Sequence, residues 1–283
     1  MNPKPAKRTA PTAVLWGLLA ALLFSFCSYT GIASRQRLHM LCNTLGVASM
    51  KISARNLDVY RTDLVELRTD DEPRLAEITL AASHTALTRV LEQFDLELKQ
   101  RVLVLCYASS EELTKHLGAF ASHDALGAYW KGAVMVVSPS ATPSGGLAHY
   151  GLLVHELTHL VLDYSTRGNY PRWFSEALAQ YNEYLASGYA LPQPASADLY
   201  EFGEFSERFG SLDDAAVAYS QAFLLVSHMA EQYGWDSMIR LVHLLGTGVR
   251  FEKGVEQVYG KSIESLDDAW RRAIEGTGVL VGE

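Results

Sequence analysis

Cysteine is scarce: the 283 residues include three, Cys27, Cys42 and Cys106. None falls in a CxxC pair, so a cysteine zinc site is not indicated. Cys27 lies in an apolar segment. Cys42 and Cys106 are candidates either for a disulfide in an oxidising compartment or for two buried thiols. Positive charge is also in deficit, with 24 Lys and Arg against 32 Asp and Glu and a net charge of −8. Lys4, Lys7 and Arg8 precede the apolar segment, and beyond them the balance is 21 against 32, or −11. Such a body lacks the basic face that phosphates need, which argues against nucleic acid as a partner. It argues equally against peripheral binding to anionic lipid. Repeats and low-complexity linkers are absent, and 9 Pro with 21 Gly exclude collagen and disorder by composition. What remains is an ordinary globular chain, long enough for one large domain or two packed lobes.

From Thr12 to Ser34, 23 residues carry no charge, and Val14 to Phe26 is almost wholly apolar. A positive flank followed by an apolar run marks an export signal or a signal anchor. At ~1.5 Å per residue the run is long enough to span a bilayer. Two fates compete. Gly31 and Ala33 stand where a signal peptidase needs small residues for a cut before Ser34, while the length of the run favours a retained anchor. Bulky Phe26 argues against Cys27 as a lipid acceptor. Either fate puts the body outside the cytoplasm, in the periplasm or extracellular space, and cleavage makes it secreted. Residues 1–34 are therefore read as signal anchor or signal peptide, with membrane contact through 12–34. Residues 35–60 are read as a juxtamembrane segment without assigned structure.

The rest reads as α+β. Asp58 to Arg68, Arg101 to Tyr107 and Ala133 to Ser138 have strand character, and Glu72 to Phe94 is helical by its apolar spacing. Ser109 or Ser110 caps a short helix that ends near Gly118. Helical patterns follow at about 147–165, 173–187, 213–233, 235–246, 251–259 and 264–275. The expectation is an N-terminal lobe with a small mixed sheet and helices, then a mainly helical C-terminal lobe.

Chemistry concentrates in Gly151 to Tyr164, GLLVHELTHLVLDY. On a helix, His155 and His159 share one face about 6 Å apart along the axis, so both imidazoles reach one metal ion. Glu156, one residue on, is aimed at water beside that ion rather than at the ion. Chance supplies this H-E-x-x-H pattern only about 0.02 times in a chain of this composition. Its surroundings are apolar, and a buried helix bearing two His and a Glu without a partner is costly. A catalytic zinc needs a third protein ligand. Glu176, in Pro171 to Tyr181 (PRWFSEALAQY), follows a turn and returns on the next helix. Trp173 reads as a packing anchor, His149 as lying on the wrong face for the metal, and Asp163 as a surface acid, with support of the metal ligands from one turn away as its alternative. Val134 to Val137 reads either as a cleft edge that pairs with an extended peptide or as an ordinary sheet strand.

HELTH followed by PRWFSEALAQY resembles the gluzincin (thermolysin-like) branch of the MA-clan metallopeptidases, and most of all bacterial peptidase-MA-like domains. The resemblance runs from about Leu64 to Ile274 and gives 61–280 as the catalytic domain, with the zinc helix at its cleft. It implies one Zn2+ per chain held by His155, His159 and Glu176, with Glu156 as general base. The implied activity is hydrolysis of a peptide or protein substrate by metal-activated water. Tyr219 matches the place where related peptidases put a tyrosine donor, and a core tyrosine is its alternative; His228 is the weaker donor candidate. Ala177 and Gln180 depart from the pattern, and Gln180 stands where some relatives carry an acid that orients a histidine. Two other readings stay open: a catalytically silent, membrane-tethered binding module on the same fold, and a zinc hydrolase of a non-peptide amide.

Overall fold

Strand residues divide between two cores. Val102, Val104 and Cys106 face one apolar cluster, while Leu103, Leu105 and Tyr107 face another. That is the two-residue period of a pleated strand. A strand buried on both faces needs cover on both, and the chain supplies it. The computed structural model describes residues 31–117, 125–142, 146–189, 191, 194 and 198–277. Its first part runs α1 (Ile32–Ser53), β1 (Asp58–Arg61), β2 (Val65–Thr69), α2 (Pro73–Gln93), β3 (Val102–Tyr107), α3 (Ser110–Leu117), β4 (Gly127–Trp130) and β5 (Ala133–Val137). The strands form one sheet in the order β1-β2-β3-β5-β4. β2, β3 and β5 pair in parallel, and the outer strands β1 and β4 are antiparallel to their neighbours.

The second part is helical: α4 (Gly146–Thr166), α5 (Arg172–Ser187), α6 (Phe202–Arg208), α7 (Ala215–Tyr233), α8 (Trp235–Gly246), α9 (Phe251–Tyr259) and α10 (Ile263–Thr277). α2 and α4 cover one face of the sheet, and α3 lies on the other. Trp173 is the expected anchor. It has no exposed surface, and the rings of Phe174, Phe202, Phe205 and Phe251 surround it at 5.4–5.8 Å.

The α+β expectation holds, and the structure amends it in four places. Asp58 to Arg68 is two strands rather than one, because Thr62 Oγ1 accepts from the amides of Leu64 and Val65 and turns the chain. The juxtamembrane segment read at 35–60 is helical over most of its length: Ile32–Ser53 forms α1, which starts within the expected anchor and packs on the body. Val134 to Val137 is an inner strand; the edge beside the cleft is β4, which pairs beyond it with Gly127 opposite Val136. Cys42 and Cys106 are both free, with Cys106 buried and its thiol donating to Asp71 Oδ2 at 3.4 Å. No helix among the described residues is long and apolar enough to cross a membrane. Residues 12–30, which hold most of the expected anchor, lie outside them.

Candidate metal centre

α4 is apolar almost all round, which makes it a buried helix. Leu153, Val154, Leu157, Val161 and Leu162 have no exposed surface. His155, Glu156 and His159 are therefore carried into the interior. The chain then reverses through Arg167 and Gly168, both left-handed at φ 57° and 76°. A glycine suits the second position, since only it enters that region without cost. Pro171 caps α5, and Gly188 ends it in the left-handed conformation. The return brings Glu176 against α4.

The three expected ligands converge. One donor atom each from His155, His159 and Glu176 lies within 4.8 Å of the others. His155 Nε2 is 3.2 Å from His159 Nε2. Glu176 Oε2 is 3.8 Å from the first nitrogen and 3.5 Å from the second. Two ligands ~2.0–2.1 Å from a tetrahedral ion stand about 3.3 Å apart, so the spacing fits zinc. The tautomers fit as well. His155 Nδ1–H donates to Glu183 Oε2 at 2.9 Å, and His159 Nδ1–H to Ser175 Oγ at 2.7 Å. Each bond leaves an Nε2 lone pair directed at the shared centre. Without an ion a proton on one Nε2 bridges to the other at 3.2 Å, and a bound cation would take that proton's place.

The field favours a cation too. Burial works against charge on His155, but Glu176 and Glu183 outweigh it and raise its pKa. Burial also works against charge on Glu176, and the two imidazoles outweigh it and hold its pKa far below the ordinary carboxylate value. Glu156 is 6% exposed, and burial raises its pKa. β4 passes so close that a Cβ at Gly127 would sit 2.9 Å from Glu156 Oε1. Only glycine permits that approach. The result is a cleft of about 440 Å³ lined by β4, α4 and α5, with Tyr170 and Arg172 at its rim.

Sequence reasoning missed the groups that hold the histidines. It looked for an acid at position 180 and found Gln180; the structure supplies Glu183 instead, two turns after Glu176 on the same helix face. That spacing was a usable signal. Asp163, read as a surface acid, is 1% exposed and takes four hydrogen-bond donors. α1 and β4 cover it, and neither was visible in the local pattern. His149 stands apart from the metal ligands, bonded to Thr142, and burial pushes its pKa down to about 4. Tyr219 comes near without lining the cleft. Its ring packs on Phe209 at 4.9 Å, and its pKa is raised by burial and then by Glu176. His228 is not among the cleft residues.

No curated protein matches the chain. The family model of the peptidase MA superfamily matches residues 82–276. That span takes in all of α4 and α5 and covers well over half of the sequence. The chain belongs to the peptidase MA superfamily.

Proposed function

We propose that the protein is a zinc-dependent peptidase. The observation that carries this reading is the convergence of His155, His159 and Glu176 within 4.8 Å, beside buried Glu156. A zinc ion there would polarise the scissile carbonyl and acidify water to near neutral pH. Glu156 takes the proton of the attacking water and passes it to the leaving nitrogen. Glu183 and Ser175 keep both Nε2 atoms pointed inward. The outer edge of β4 pairs with no other strand among the described residues and runs beside Glu156. An extended peptide would add there as a further strand. The resemblance makes Tyr219 the donor for the developing oxyanion; it stands near Glu176 and Arg172 but outside the cleft lining, so it would have to turn inward to serve. Residues 12–34 hold the enzyme at a membrane with its body outside the cytoplasm, or export it if they are cleaved. The positive flank and apolar run support that placement.

The test is zinc content and hydrolysis of a mixed quenched-fluorescence peptide library. It compares the full chain in detergent with its Glu156→Gln variant. One zinc per chain in both, with cutting by the parent alone, is the expected result. Zinc in both and cutting by neither moves the binding-module or non-peptide reading ahead. Zinc in neither contradicts the proposal.

A further inference from the structure

α1 lies outside the residues matched to the superfamily, yet it reaches the zinc helix. His39 Nε2–H donates to Asp163 Oδ1 at 2.7 Å, and Asn43 Nδ2 donates to Oδ2 at 2.6 Å. Two donors come from elsewhere. Tyr129 Oη of β4 reaches Oδ2 at 2.7 Å, and Tyr170 Oη, just before α5, reaches Oδ1 at 2.9 Å. Each carboxylate oxygen takes two donors, which fills its accepting capacity. Asp163 stands one turn beyond His159 on the same helix.

The helix is fixed along its length. Gln36 Nε2 donates to the carbonyls of Thr166 and Leu245, which belong to the last turns of α4 and α8. The His39 ring lies so close to Gly168 that a Cβ there would meet it at 2.8 Å. At the other end, Arg68 Nη1 donates to Lys51 O at 2.7 Å. The elements gathered by Asp163 need holding. β4 has four half-buried residues and, among the described residues, pairs on one side only. Strands so thinly supported open most easily. Tyr129 and Tyr170 themselves line the cleft, Gly127 touches Glu156, and Ser175 holds His159.

We propose that α1 is a positioning element of the active centre. Through His39 and Asn43 on Asp163, it fixes Tyr129 and Tyr170, and with them β4 and the start of α5, against the zinc helix. The kinetic consequence rests on the peptidase reading; the structural one does not.

The experiment uses the full chain and its His39→Ala/Asn43→Ala double variant, both sites being partly exposed. Amide exchange is followed by mass spectrometry alongside peptide hydrolysis, zinc content and Tm. Exchange at residues 127–130 and 169–175 should quicken about tenfold or more, with β3 unchanged, since the opening is local. kcat/KM should fall about ten- to a hundredfold while zinc is kept, the usual cost of a misplaced reacting geometry. Tyr129→Phe, which deletes one donor and keeps the ring, should move the same segments by less. Unchanged exchange at 127–130 overturns the proposal whatever the kinetics. Equal loss of protection across β3 overturns it too, because it assigns α1 to global stability. If the parent cuts no peptide, the peptidase reading fails, and exchange alone decides the role of α1.

Discussion

Around His155 and His159 the polar atoms converge on one point and share their partners there. Around Asp163, one turn further along α4, every one is paired. The first cluster sets two Nε2 atoms 3.2 Å apart with a carboxylate oxygen nearby. The second closes four hydrogen bonds of 2.6–2.9 Å on one aspartate. Asp163 and both histidines sit on the same buried helix. A saturated cluster needs nothing more and holds the scaffold. A cluster of imidazoles and a carboxylate turned toward one point can exchange its shared proton for a cation. On the proposed reading, the difference separates a metal centre from its support within a few residues of sequence.

The widest gap between the two clusters should appear in Glu156→Gln. Hydrolysis should fall about 10²- to 10⁴-fold, the range for loss of a general base, with zinc content and Tm little changed. A variant that still cuts at the parent rate removes Glu156 from the chemistry. Asp163→Ala should show the opposite profile. Four donors lose their acceptor, so the loss should be about 3 kcal/mol of stability in denaturant melts, with the zinc ligands still present. Unchanged stability would mean that water or neighbours satisfy the donors.

A finer contrast lies between the groups behind the two histidines. Glu183→Gln should weaken zinc binding about 10- to 100-fold by competition with a chelator. Ser175→Ala should weaken it less, because it removes a neutral partner rather than a charged one. The reverse order would mean that Glu183 acts as bulk field rather than through His155 Nδ1.

The smallest effect concerns His39. Its hydrogen bond to Asp163 raises its pKa above the ordinary value, against the pull of burial. The folded pKa exceeds the unfolded one, so the stabilisation is fully present below about pH 6.5 and is lost as pH rises through the raised value. The Tm difference between parent and His39→Gln should be largest near about pH 6 and shrink toward about pH 9. Since His39 is partly exposed, it should correspond to under about 1 kcal/mol. A difference that grows with pH would contradict the pairing.

How far the sequence disclosed these regions follows from the range of the forces involved. The helix of the candidate metal centre was legible because His155 and His159 are four residues apart and its flanks are apolar, both local facts. Glu176 was legible because a turn and a second helix follow at once. β4 was not: Gly127-Ala128-Tyr129-Trp130 is too short to show a period, and its glycine serves the approach to Glu156 rather than strand formation. With β4 hidden, the sequence leaves β5 open between a cleft edge and an ordinary sheet strand, and the structure shows the second. Asp163 looked exposed because the side chains that bury it come from far away, His39 being 124 residues distant. α1 lacked a clear pattern because its charges and apolar residues are spread around the helix rather than sorted to one face. Glu183 was legible in principle, seven residues after Glu176 and so on the same helix face, but it lies one turn beyond the position the resemblance points to.

The central claim is that two histidines and one glutamate hold a zinc ion. X-ray absorption at the zinc edge of the zinc-loaded full chain tests it most directly. The account predicts a first shell of nitrogen and oxygen only, at about 2.0–2.1 Å, with the outer-shell signature of two imidazoles. It also predicts that the imidazole signature halves in His159→Ala. Sulfur at about 2.3 Å, or a spectrum indifferent to that substitution, would contradict it.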